Sequence, residues 1–169
     1  MNIAILYGSS LGNTQFVAQK IHRFFPDALL SSVNDVDLEA LALCDLVILG
    51  TSTWGVGDMQ DDFEMFVNGL LKSNLEGKRY ALFGLGDQNN YPDSFCNGMG
   101  KLYRLLTTKK VQFLGGWPTV GYDFSESEAV VDDFFVGLAI DEENEPDLTE
   151  GRVAKWSQQL LRELREINS

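Results

Sequence analysis

The sequence contains few of the side chains that metal sites and disulfide frameworks require. Two cysteines and one histidine occur among 169 residues. Cys44 and Cys96 are far apart and match no CxxC or zinc-binding spacing, so we expect each to be a buried or near-site thiol in a reducing compartment. His22 lies within a helical pattern, which favours a surface residue over a ligand or a base.

Long apolar segments are also absent. No run approaches the roughly 18 residues that a membrane span needs, and no basic segment precedes the first apolar run. We therefore expect a cytoplasmic protein that does not act at a membrane. The 169 residues are 44% hydrophobic, which predicts a single domain, residues 1–169, with a full core. Met1 and an amphipathic terminal segment suggest a complete chain.

Positive charge is scarce in this sequence. Thirteen lysines and arginines face 25 aspartates and glutamates, which gives a formal net charge of -12. Nucleic acids and anionic membranes would be repelled by such a chain, so we exclude both as partners. A protein that docks with this chain is expected to present a basic surface.

Short apolar runs alternate with amphipathic segments along the chain. The predicted strands are residues 2–8, 28–32, 46–52, 79–86, one that begins near 111, and 135–141. The predicted helices are residues 13–25, a short one within 37–45, 61–71, 94–108 and 149–167. On the first helix, Phe16 and Ile21 are placed on one apolar face. Five β/α repeats predict an α/β fold with a parallel sheet and helices on both faces.

Ligands of such sheets bind outside the carboxyl ends of the strands. The loops that follow the first, third and fourth predicted strands are SSLGNT, TSTWGVGD and GLGDQNNYPDSF. All three are rich in small or polar residues. Trp54 and Tyr91 are aromatic residues on the last two loops, and this arrangement suggests a flat ring held between them.

The first loop, within YGSSLGNT, has hydroxyls and glycines but no lysine. A P-loop would need one more residue between the glycines and a lysine where Asn13 stands. A dinucleotide site would need GxGxxG, and a phospho-acceptor would need acidic residues in place of Gly8 and Thr51. A monophosphate held by neutral donors remains, with a plain helix cap by Asn13 or Thr14 as the alternative without a ligand.

Five segments together resemble a flavodoxin of the long-chain class. They are YGSSLGNT, TSTWG, GLGDQNNY, GWPTVGYDFSESEAV and FVGLAIDEENEPDLTEGRVAKW. The resemblance implies a flavodoxin-like, five-stranded parallel sheet in the order 2-1-3-4-5, with the fifth strand split by an insertion at 115–134. It also implies one non-covalent FMN in a monomeric, low-potential one-electron carrier. Partners would be redox proteins with basic docking surfaces: flavodoxin or ferredoxin reductase-type donors and low-potential acceptors.

The resemblance assigns the FMN phosphate to the first loop. Its residues are Ser9, Ser10, Leu11, Gly12, Asn13 and Thr14. Leu11 replaces the usual hydroxyl residue, so one side-chain bond to phosphate is missing there while the backbone N–H remains.

The resemblance assigns the isoalloxazine ring to the other two loops. Trp54 would cover the inner face and Tyr91 the outer face. The residues beside them are Ser52, which replaces a common proline, Thr53, Gly55, Val56, Gly86, Asp87 and Cys96. The peptide that joins Gly55 to Val56 would turn toward the flavin on the first reduction. Cys96 would contribute its backbone and not its thiol.

Acidic residues surround the candidate loops. They are Asp58, Asp61, Asp62, Glu64, Asp87, Asp93 and Asp123. One such charge about 10 Å from a reduced, anionic flavin costs roughly 1.7 kcal/mol, or roughly 70 mV, at an effective dielectric of about 20. The sequence therefore predicts a strong reductant.

Three other functions remain open at this point. One is an NAD(P)H-dependent quinone reductase on the same fold, which would turn over NAD(P)H by itself. Another is an acidic binding module, which would stay colourless after FMN is added. The third is one domain of a larger diflavin reductase.

Overall fold

The structure is a computed structural model that describes residues 1–8, 12–54, 58–59 and 61–169, with only the backbone described at residues 54, 58 and 59. The strands are β1 (Ile3–Tyr7), β2 (Leu29–Ser32), β3 (Leu46–Trp54), β4 (Asp58–Met59), β5 (Arg79–Leu85), β6 (Gln112–Leu114), β7 (Trp117–Pro118), β8 (Val130–Val131), β9 (Phe134–Phe135) and β10 (Leu138–Ile140). The helices are α1 (Asn13–His22), α2 (Leu38–Leu41), α3 (Asp61–Leu70), α4 (Asn97–Thr107) and α5 (Thr149–Asn168), and a short 3-10 helix, Pro146–Leu148, precedes α5.

The main sheet has the parallel order β10-β5-β3-β1-β2. Its central strands are apolar without alternation because both faces are covered; Ala4, Ile5 and Leu6 of β1 are fully buried. From β1 the chain crosses to β2 on one side, and it then returns past β1 to β3 and β5 on the other. Right-handed crossovers in opposite directions place helices on both faces, as predicted.

The fifth strand is split, also as predicted. β6 pairs with residues 79–81 of β5, and β10 pairs with residues 83–85 of the same strand. Between them, β7, β9 and β8 form a separate antiparallel sheet.

Two details of the sequence prediction were wrong. Residues 135–141 are not one strand, because Phe135 pairs with Trp117 and Val130 in the small sheet, and β10 starts at Leu138. Phe16 is not on the buried face of α1 and is 45% exposed. The buried face instead begins at Thr14 and continues through Val17, Ala18 and Ile21, which is the i, i+3, i+4, i+7 spacing.

In the part of the chain that the structure describes, no helix is both long enough and apolar enough to cross a bilayer.

Candidate functional site

The carboxyl ends of β1, β3 and β5 lie at one edge of the sheet. Tyr7 at the end of β1 is opposite Gly50 of β3, and Ser52 is opposite Leu85 at the end of β5. The connection after β1 runs toward β2 and the connection after β3 runs the opposite way, toward β5, so a crevice is expected at this edge between β1 and β3. The three loops singled out from the sequence begin here.

Thr14 is the most informative residue at this edge. It lies in the first turn of α1 and is 1% exposed, and among the described residues its Oγ1 has no hydrogen-bond partner. A buried hydroxyl without a partner costs about 1–3 kcal/mol, so native structures rarely keep one without a reason. A helix N-terminus with an unused hydroxyl suits an anion, since the first helical N–H groups also lack intrahelical acceptors.

Gly12 is the N-cap residue of α1, so neither Asn13 nor Thr14 is the plain cap. Its φ of 88° lies in the left-handed region that favours glycine. Gly12 and the side chain of Asn13 are exposed, while Thr14 points inward. Ser9, Ser10 and Leu11 lie outside the described residues.

The end of β3 is attached to the start of α4. Gly98 N–H donates to Thr53 Oγ1 at 3.0 Å, and a Cβ at Gly98 would lie 2.8 Å from the Ser52 carbonyl oxygen. The helix can approach β3 this closely only because residue 98 is glycine. Trp54 ends β3, but the predictions for its ring, and those for Gly55 and Val56, concern atoms outside the described part of the chain.

Gly86 begins the loop after β5. Its N–H donates to the Ile140 carbonyl at 3.0 Å. A Cβ on Gly86 would lie 2.8 Å from the Cys96 backbone nitrogen, which explains the glycine. Tyr91 is 46% exposed at the other end of the loop, and its ring is therefore available to a ligand.

Asp87 organises the turn that leads to Tyr91. Its Oδ1 accepts hydrogen bonds from Asn89 N–H at 3.1 Å and from Asn90 N–H at 3.0 Å. Tyr91 N–H donates to the Asp87 carbonyl at 2.9 Å. Partial burial raises the pKa of the Asp87 carboxyl, but the hydrogen bonds from Asn90, Asn144 and Asn89 outweigh burial and lower it overall. The carboxylate is therefore ionised at neutral pH and acts as an acceptor for this turn.

Cys96 is fully buried at the N-terminus of α4, with φ of 55°. Its Sγ lies 3.6 Å from the Gly84 carbonyl oxygen. Burial raises the pKa of this thiol, and the charge of Asp141 raises it further. Because the group stays a protonated thiol, nucleophilic or redox chemistry at Cys96 is disfavoured.

Comparisons with known proteins agree with this geometry. The sequence model of the flavodoxin family matches residues 5–156. The chain belongs to the flavodoxin family. A flavodoxin from Synechococcus elongatus is 42% identical over 95% of this chain and 96% of its own. Flavodoxin 2 from Escherichia coli is 41% identical over 98% of both chains.

A solved flavodoxin has a closely similar fold. The crystal structure of Fusobacterium nucleatum flavodoxin bound to flavin mononucleotide matches with a TM-score of 0.89 and 30% identity, over 96% of this chain and 98% of that one. Flavodoxins are themselves a standard example of ligand binding where strand order reverses. The candidate loops of this chain follow the carboxyl ends of β1, β3 and β5, which is the edge where ligands of such sheets bind.

Three residues that shape the candidate site were missed from the sequence. Gln88 and Asn144 make side-chain hydrogen bonds behind the Tyr91 loop, and Gly98 permits the close approach of α4. Gln88 lies within GLGDQNNY, the same motif that gave Asp87 and Tyr91, but its partners are more than 30 residues away. Periodicity and local spacing carry no signal for such contacts.

Proposed function

We propose that this chain, as one domain of residues 1–169, is a low-potential one-electron carrier that binds FMN without a covalent bond. Family membership supports the cofactor. The observation that carries the site is the buried Thr14 hydroxyl at the N-terminus of α1, a donor with no described partner. When bound, FMN supplies the one-electron chemistry, and the chain binds, orients and shields it.

The phosphate is assigned to the start of α1. Thr14 Oγ1–H and the N–H groups of Gly12 and Asn13 donate to it, with Ser9, Ser10 and the Leu11 N–H completing the set. Hydrogen bonds to a charged group contribute about 1.5–3 kcal/mol each, so several neutral donors hold a dianion without a lysine. Residues 1–19 contain no lysine or arginine, in agreement with this mode of binding.

The ring is assigned to the crevice between the loops after β3 and β5. Tyr91 covers the outer face and Trp54 the inner face, with the Gly55–Val56 peptide beside it. The other residues at the ring are Ser52, Thr53, Gly86, Asp87 and Cys96. Thr53 Oγ1 already accepts a bond from Gly98, which leaves its proton for a flavin acceptor.

A carrier that is not an enzyme needs partner proteins. The partners we propose are redox proteins with basic docking surfaces, and the net charge of -12 supports them. We also propose that the chain is a monomer in the cytoplasm. The two cysteines, Cys44 and Cys96, are free thiols, as a reducing compartment would leave them.

Titration of the apoprotein with FMN and with riboflavin tests the proposal. We expect FMN to bind far more tightly than riboflavin, and the loaded protein to consume no NAD(P)H by itself. Equal affinity for both flavins would overturn the phosphate assignment. Steady NAD(P)H turnover by the purified protein would instead favour an NAD(P)H-dependent quinone reductase.

A further inference from the structure

A buried glutamine lies behind the loop that carries Tyr91. Gln88 is 5% exposed. Its Nε2 donates to Asp141 Oδ2 at 2.9 Å and also to Glu145 Oε1, and its backbone N–H donates to Asp141 Oδ2 at 3.0 Å. Its Oε1 accepts from the Asp123 N–H. Both side-chain N–H groups and the amide oxygen are therefore used, which fixes the orientation of the amide.

The partners of Gln88 belong to two other segments of the chain. Asp141 and Glu145 follow β10, and Asp123 lies in the insertion between β7 and β8. The loop after β5 is thereby tied to the end of the last sheet strand and to the insertion. These hydrogen bonds join the loop to segments that are distant in sequence, so the loop is held by the fold and not only by contacts within itself.

Asn144 adds a second tie to the same turn. Its Nδ2 lies 2.8 Å from Asp87 Oδ1 and 2.9 Å from Asp141 Oδ2. Gln88 thus donates to Asp141 directly, and Asp87 is linked to Asp141 through Asn144. The Tyr91 backbone N–H donates to the Asp87 carbonyl, so the backbone position of Tyr91 depends on the positions of Asp87 and Gln88.

The charges around Gln88 explain why an amide is needed. Asp141 is fully buried, and a buried carboxylate needs donors. Arg152 lies 3.2 Å from Glu145 Oε1 and stacks over the Tyr122 ring at 4.0 Å, so the cation serves Glu145. Among the described residues, Asp141 accepts hydrogen bonds from Gln88 and Asn144, and an apolar or ionised acidic side chain at position 88 would remove the Nε2 donor.

We propose that Gln88 is a positioning residue for the flavin: it holds the 87–91 turn so that Tyr91 lies against the ring. This rests on the proposed function, because the place of Tyr91 bears on electron transfer only if the flavin binds beside it. Gln88 itself touches neither the ring nor the phosphate in this proposal and acts through Tyr91.

A double-mutant cycle on the FMN-loaded protein tests this. The variants are Gln88→Met, Tyr91→Ala, the pair together, and Gln159→Met as a matched control. Gln159 lies on α5 and is half-buried, so it is more exposed than Gln88, but it also binds the insertion, by donating to the Gly116 carbonyl at 2.7 Å. The readouts are the FMN dissociation constant, from flavin fluorescence released on dilution, and the first one-electron midpoint potential.

We expect Gln88→Met to weaken FMN binding about tenfold, because a tenfold change in affinity corresponds to the free energy of roughly one hydrogen bond. The first midpoint potential should shift in the same direction as in Tyr91→Ala. In the Tyr91→Ala background the same change should have almost no effect, because the two act through one contact. Gln159→Met should leave both readouts unchanged.

Unchanged binding and potential in Gln88→Met, or an equal loss in the Tyr91→Ala background, would overturn the role of Gln88. If Tyr91→Ala itself changed neither readout, the assignment of Tyr91 to the ring would fail and this proposal with it. These two failures are distinguishable, since the first leaves a clear effect of Tyr91→Ala.

A second variant covers the case in which Gln88→Met does not fold. Gln88→Glu is nearly isosteric, and its carboxyl faces Asp141, Glu145, Arg152 and the Asp87–Asn144 pair. Like charges raise its pKa, and the protonated form can again donate to Asp141. We therefore expect FMN affinity in this variant to be low at pH 8 and to recover toward the wild-type value as the pH falls to 5. A pH profile parallel to wild type would contradict the positioning role.

Discussion

The buried Thr14 hydroxyl has no hydrogen-bond partner among the described residues, and this destabilises the apoprotein. A ligand that accepts a hydrogen bond from it would remove that cost. Thr14→Val keeps the shape and removes the group. We expect FMN affinity to fall at least tenfold with riboflavin affinity unchanged, and the free energy of unfolding of the apoprotein to rise by about 1 kcal/mol. Flavin titrations and urea unfolding measure the two effects.

Ser157 provides the matched control for Thr14. It is the other buried hydroxyl without a partner among the described residues, and it lies on α5. Ser157→Ala should also stabilise the apoprotein but leave both flavin affinities unchanged. Equal losses for FMN and riboflavin in Thr14→Val would contradict the phosphate contact.

Asp87 makes a pH-dependent contribution with a definite sign. Its folded-state pKa is lowered from 3.8, so its stabilisation is fully present above that value and is lost as pH falls through the lower folded value. The difference in the free energy of unfolding between wild type and Asp87→Asn should be constant from pH 7 to about pH 5 and shrink below about pH 3.8. Urea unfolding across this range measures it. A difference that grows on acidification would mean that the carboxylate is not the acceptor.

Helix α4 approaches β3 through a single glycine. Gly98→Ala places a Cβ 2.8 Å from the Ser52 carbonyl oxygen, which belongs to rigid strand backbone. We expect a loss of about 1–3 kcal/mol in the free energy of unfolding, together with weaker FMN binding, because the helix must move away from Thr53. Thermal unfolding and an FMN titration test both.

Gly151 is the control at the same scale. It lies within α5, and a Cβ there would meet nothing within 4 Å. Gly151→Ala should raise the free energy of unfolding by about 1 kcal/mol and leave FMN binding unchanged. Stabilisation by Gly98→Ala would show that α4 has room to spare.

The elements differ in how far the sequence could predict them. β1, β3 and β5 are continuous apolar runs buried on both faces, so local pattern was enough. Phe135 was predicted to start the last strand, but it pairs with Trp117 in another sheet, and only tertiary structure decides that. Phe16 fits the apolar pattern of α1 in the sequence, yet its ring lies at the surface, with its centroid 4.2 Å from the Lys20 ammonium.

The site divides in the same way. Hydroxyls and glycines that are close together in one short loop were enough to predict a phosphate-binding end, because the signal is local in the sequence. Gln88 could not be assigned, because its role depends on Asp123 and Asp141, which are brought near by the insertion and by β10.

Charge is distributed unevenly over the whole molecule. Residues 24–71, 80–100 and 111–151 contain no lysine or arginine, and these ranges include the loops after β3 and β5. Cations instead occur on α1, α4 and α5, among other places. The edge of the sheet that would hold the flavin is therefore acidic, which steers basic partners toward it.

Electron transfer to a basic one-electron acceptor protein should consequently slow as salt rises from about 10 mM to 500 mM. The double variant Asp93→Asn/Asp123→Asn should flatten this dependence, since both residues are exposed on loops near Tyr91. Glu166→Gln removes the same kind of charge near the far end of α5, a helix about 30 Å long, and should change little. Stopped-flow rates that do not depend on salt would indicate an apolar docking surface.

The most direct test of the molecule as an FMN-dependent carrier is a potentiometric titration of the FMN-loaded protein, followed by visible absorption. We expect two separate one-electron steps, with the second at a potential below that of free FMN, because the proposed site would offer neutral donors and acidic surroundings to the reduced ring. A single two-electron step at the potential of free FMN, or flavin lost on gel filtration, would contradict it.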